Sequence, residues 1–164
     1  MTSCRACLSI AIWLYIKESC VAGYQVIFYP EYELESENTD HDPVRKKLRK
    51  IGRKHRKKHD RLVEVIKSIQ NEETGLARYE EYLKQEIVKP LPHSCSNSKN
   101  ISLFEFRVPK VSISGVIRVY FCLSKKIKNK LVILDVEYKT ITASKTATAC
   151  ERREEYWRIY DKPR

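Results

Sequence analysis

"ISLFEFRVPKVSISGVIRVYFCLSKKIKNKLVILDVEYK" (residues 101–139) decides the fold. It holds three runs rich in β-branched and aromatic residues: "ISLFEFRV" (101–108), "GVIRVYFCL" (115–123) and "KLVILDVEYK" (130–139). Turn-forming or lysine-rich stretches separate them, so they read as three consecutive strands. Successive side chains on a strand point to opposite faces. Phe104, Phe106 and Val108 therefore share one face, and Glu105 and Arg107 the other. In the second run Ile117, Val119 and Phe121 oppose Arg118 and Tyr120. In the third, Val132, Leu134, Val136 and Tyr138 are expected to oppose Asp135, Glu137 and Lys139.

Matching the apolar faces fixes the register, because a slip of one residue turns every side chain over. The expected pairs are Arg107 with Arg118, Glu105 with Tyr120, Arg118 with Glu137, and Tyr120 with Asp135. Lys139 then lies diagonal to Arg118. Like charges directly opposite each other cost stability. Two accounts remain open for the arginine pair. A bound phosphate would satisfy both guanidiniums, or Glu105 and Glu137 neutralise them in an ordinary surface network.

Upstream, "YQVIFY" (24–29) reads as a strand that stops at Pro30. The acidic loop "EYELESENTDHD" (31–42) holds six acids and no Lys or Arg. Asp42-Pro43 then supplies an N-cap and a first-turn proline. Apolar residues Val44, Leu48, Ile51, Leu62, Val65 and Ile69 follow in steps of three and four around a polar interruption at Gly52–Lys58. That periodicity fits two amphipathic helices, or one long bent one, with basic residues on the outer arc, and the polar interruption favours a hairpin of two. "GLARYEEYLKQEIVKP" (75–90) reads as a further short helix, "LPHSCSNSKN" (91–100) as a loop, and residues 145–160 as a terminal helix. The expected fold class is α+β: a small antiparallel sheet, an N-terminal helical hairpin on one face and a C-terminal helix. Residues 24–164 form one domain behind an N-terminal extension, 1–23.

Charge narrows the partner. The chain nets +11, and "RKKLRKIGRKHRKKHDR" (45–61) alone carries eleven Lys or Arg against one acid. So dense a basic run attracts polyanions, of which nucleic acid is the usual one. Lys46, Lys47, Lys50, Arg53, Lys54, Arg56 and Lys57 are the candidate contacts. Only four glycines occur, which excludes glycine-rich phosphate loops. His55 and His59 stand one turn apart, but Arg56, Lys57 and Lys58 between them would repel a metal, and no metal or cofactor is expected. Six cysteines, at 4, 7, 20, 95, 122 and 150, show no repeating spacing and read as free thiols of a reducing cytosol. "LSIAIWLYI" (8–16) is nine apolar residues, far below the ~20 that span a bilayer. It imitates a signal peptide, interrupted by Lys17 and Glu18, and reads as an extra strand or helix.

Together, "VKPL" (88–91), "LFEFRV" (103–108), "IRVYF" (117–121), "LVILDVEYKT" (131–140) and "ACERREEYW" (149–157) resemble the RelE/ParE superfamily of toxins from toxin–antitoxin systems, with the HigB-like branch nearest. "DPVRKKLRKI" looks like the opening of that family's first helix, and the resemblance covers about residues 24–160. It implies a cytoplasmic, ribosome-dependent mRNA endonuclease, held in check by a cognate antitoxin and working without metal or membrane. On that likeness Arg107 and Arg118 hold the phosphate, and Lys139 stabilises charge or protonates the leaving group. Tyr156 activates the ribose 2′-hydroxyl, while Lys89 and Arg153 join the RNA contacts. Two other outcomes stay open: a ParE-like toxin that inhibits DNA gyrase by binding, and a catalytically degenerate RNA-binding member.

Overall fold

The computed structural model describes residues 23–30, 42–92, 95, 103–140 and 146–161. The extension with Cys4, Cys7 and Cys20, most of the acidic loop and much of the 91–100 loop lie outside the described residues.

Strand β1 (Gln25–Phe28) leads into α1 (Pro43–Lys54). As its sequence demands, the Asp42 carboxylate caps α1, accepting from the Val44 and Arg45 amides at 2.9 and 3.0 Å. A side-chain acceptor there satisfies amides that have no partner within the helix. Helix α2 (Arg56–Gln70) begins after a single non-helical residue, His55. The expected hairpin is thus a sharp bend with no loop. Gly52 permits it: a Cβ there would come within 2.9 Å of the His59 ring. On the far side of the bend His55 stacks on Tyr138 at 3.7 Å.

Helix α3 (Gly75–Lys84) is shorter than the sequence suggested. The chain turns out of it with Glu86 left-handed at φ 57°, and the Ile87 amide reaches back to the Tyr82 carbonyl at 3.0 Å. Such an ending stops a helix. Val88–Pro90 then forms β2, so the last part of the expected helix is an edge strand.

Strands β3 (Phe104–Val108), β4 (Val116–Leu123) and β5 (Lys130–Lys139) follow, then α4 (Ala147–Ile159). The sheet order is β1-β5-β4-β3-β2. All neighbours are antiparallel except β1 and β5, which run parallel from Gln25 opposite Lys130 to Phe28 opposite Ile133. The sheet is mixed, not antiparallel, because the helices and three strands intervene before β5 returns to β1, and so long a connection permits parallel pairing.

The four expected cross-strand pairs are all present. One face assignment differs. Between Tyr120 and Phe121 the ladder shifts by a residue, so that Tyr120 faces Asp135 but Phe121 faces Ile133. Leu134 is the extra residue of a β-bulge, which breaks alternation. Val136 and Tyr138 therefore pack with α1–α3, whereas Val132 and Leu134 join the opposite cluster.

Each sheet face has its own core. Phe106, Val119, Phe121 and Ile133 meet Leu62, Ile66 and Ile69 beneath α1–α3. Tyr120, Cys122, Val132 and Leu134 meet Ala149 and Tyr156 beneath α4. A disulfide, Cys95–Cys150, ties the loop before β3 to α4 across 55 residues. This corrects the reading of free thiols for these two cysteines and removes the ground on which a reducing compartment was expected. Cys122 is free, and burial pushes its thiol up to about 12, which leaves it unreactive.

Candidate functional site

The alternation that buries Phe106 and Val119 sends Glu105, Arg107, Arg118 and Tyr120 to the α4 side of the sheet. Strand pairing adds Lys89 opposite Glu105 and Glu137 opposite Arg118, with Lys139 two residues further along β5. With Asp135 opposite Tyr120, four cations and three carboxylates thus share one face across four strands. Arg107 and Arg118 are direct register partners. Glu105 relieves their repulsion: it is fully buried, its Oε1 accepts from the Arg107 guanidinium, and its Oε2 stands 4.0 Å from Arg118 Nη1. A buried carboxylate between two guanidiniums holds both in place at a desolvation cost. The arginines keep 27% and 13% of their side-chain surface.

Glu137 is built differently. The Tyr120 hydroxyl donates to its Oε1, Lys139 Nζ lies 3.5 Å from its Oε2, and 16% of the side chain stays exposed. The face therefore offers charged donors that suit a phosphate, together with one carboxylate able to accept a proton.

A second basic surface lies on the other side of the sheet. Val44, Leu48 and Ile51 turn one side of α1 to the core. Lys46, Arg49, Lys50 and Arg53 line a cavity of about 440 Å³ on its outer side. Arg49 completes an i, i+3, i+4, i+7 row that the helical period of the sequence already contained. Lys54, Arg56 and Lys57 are exposed at the bend, where Arg56 lies 3.9 Å from Asp60.

Three expected contacts are placed otherwise. Lys47 reaches the buried Asp135 at 2.7 Å, and Arg152 of α4 approaches the same carboxylate at 3.3 Å. One acid thereby links α1 and α4, and Lys47 is a structural cation. Arg153 is buried, 3.3 Å from Glu154 and stacked over Trp157, so it is no surface contact. Tyr156 is fully buried against Tyr160 in the α4 core. Its hydroxyl does not face solvent, as a group that activates a substrate must. Both fall on the inner side of α4, a face that the weak apolar pattern of "ACERREEYW" does not mark. Sequence reading also missed Lys58, which holds the β3–β4 turn through Ser114 Oγ at 2.8 Å.

Among the described residues, no group of His, Cys, Asp or Glu is arranged to hold a metal ion. None of the described helices is long and apolar enough to cross a membrane.

Fold and site define a basic α+β protein with a mixed five-stranded sheet and two cationic surfaces on opposite sides of it. No protein-family model, curated protein or solved structure matches the chain.

Proposed function

We propose that the protein is a RelE/ParE-like toxin of the HigB-like kind, an endonuclease that cuts mRNA on the translating ribosome and is neutralised by a cognate antitoxin. The observation that carries the reading is the convergence of Arg107, Arg118 and Lys139 on one sheet face. The order strand, paired helices, meander, terminal helix also suits it. The chemistry needs no metal. The 2′-oxygen bonds to the adjacent phosphorus, the P–O5′ bond breaks, and a 2′,3′-cyclic phosphate and a 5′-hydroxyl result. Negative charge grows on the phosphoryl oxygens, and guanidiniums already fixed in place stabilise it as it develops. The row on α1 lies across the sheet from this centre. It grips a separate stretch of polyanion, which on a ribosome is ribosomal RNA.

Expression in cells, with RNA ends mapped in translating and non-translating extracts, tests this. Growth arrest and cleavage confined to translating extracts are expected, with both sharply reduced in Arg107→Lys, which leaves a cation beside the buried Glu105 but removes the planar guanidinium fork. Burial of Tyr156 and the grip of Glu105 on Arg107 favour a second reading, an RNA-binding member that does not cut. Under that reading RNA is retained intact. Inhibited supercoiling without RNA cleavage would instead mark a gyrase-directed toxin.

A further inference from the structure

We propose that Glu137 is the proton acceptor of the cleavage step, and so a catalytic residue in the place first expected for Tyr156. The inference rests on the endonuclease reading. It follows from which oxygens on the strands of the cationic face reach a bound substrate. Glu105 is fully buried between two guanidiniums. Asp135 is buried and holds Lys47 and Arg152. Tyr120 is buried, and its hydroxyl is spent on Glu137. Tyr156 lies inside the α4 core. Glu137 alone of these keeps part of its side chain exposed, and it lies directly across from Arg118.

The two Glu137 oxygens have separate surroundings. Tyr120 fixes Oε1, while Oε2 faces Lys139 Nζ at 3.5 Å. A phosphodiester held by Arg107 and Arg118 brings its 2′-hydroxyl to Oε2, which takes the proton as the oxygen attacks phosphorus. The Lys139 ammonium gives a proton to the departing O5′. Glu137 then carries one proton too many and Lys139 one too few. Their separation lets the proton pass between them, directly or through a water, which restores both groups. A base held by a hydrogen bond and an acid poised beside it are what general acid–base catalysis requires.

The competing role for Glu137 is plain charge neutralisation, and the two roles give opposite signs. Glu137→Gln keeps the size of the side chain and an oxygen for the Tyr120 hydroxyl, so circular dichroism should report an unchanged fold. Single-turnover cleavage of mRNA by ribosome-bound protein is expected to slow by about 10²–10⁴-fold. Affinity for an uncleavable mRNA, 2′-deoxy at the cut site, should hold or tighten. Glu137→Asp should recover part of the rate. If Glu137→Gln cleaves at the wild-type rate while binding more tightly, Glu137 only neutralises charge and the proposal is overturned. Wild-type protein that leaves translated mRNA intact overturns the endonuclease reading itself, and Glu137 with it.

Discussion

Glu105 and Phe106 are neighbours in sequence, both fully buried, and they point into opposite sides of the sheet. Phe106 stacks on Phe121 at 4.6 Å among aliphatic side chains. Its burial is favourable from apolar area alone. Glu105 puts a carboxyl group into its face, and only the arginines beside it make that tolerable. One side of the sheet is therefore stabilised by shape and area, and the other by matched charge. Packing of the first kind leaves nothing to do chemistry. The second holds cations in fixed positions, where an anion could meet them.

The largest expected effects come from breaking each kind of burial at this pair. Phe106→Ala should cost about 3–5 kcal/mol by denaturant unfolding, the range for large core truncations. Glu105→Ala should cost a similar amount, about 3–5 kcal/mol, because it leaves two guanidiniums facing each other without their shared anion. Inorganic phosphate sharpens the contrast: it should restore part of the Glu105→Ala loss and none of the Phe106→Ala loss. Removing the Cys95–Cys150 link with serines should cost about 2–4 kcal/mol. That loss falls on the α4 side, so thermal unfolding under reducing conditions should resemble the serine variant.

Smaller effects follow at the periphery. Burial and the hydrogen bond to Glu155 push the Tyr29 hydroxyl up to about 12. The folded chain thus holds this proton more tightly than the unfolded chain does. The stability it contributes is full below pH 10 and declines as pH rises towards 12. Tyr29→Phe should flatten that slope in alkaline denaturation. Smallest of all for the fold, Lys50→Glu and Arg53→Glu should each shift stability by no more than about 0.5 kcal/mol, since both are exposed. Polyanion binding should nevertheless weaken, and each change should lower the salt dependence by about one unit of slope.

Much of the meander was legible because period-two alternation in 104–108 and 117–121 leaves one register that buries both apolar sets. The Arg107–Arg118 pair and its neighbours on β5 came from that rule alone. Alternation failed at Leu134, since a bulge inserts a residue without altering composition. The parallel partner of β1 was hidden because pairing between segments a hundred residues apart leaves no local trace. Strand β2 was hidden because "IVKP" continues a helical pattern until a left-handed residue ends it. The disulfide could not be read from unpatterned spacings. At the site, cations on strands were found by type and position, whereas Tyr156 and Arg153 were misplaced because helix α4 carries its buried side with a tyrosine and an arginine in place of an apolar stripe.

Asp135 stands just past the point where β1 stops pairing, and it receives a cation from either side of the sheet. An anion that drew Lys47 outward would leave this carboxylate to Arg152 alone. The basic helix and α4 are therefore fastened to the sheet through the same carboxylate.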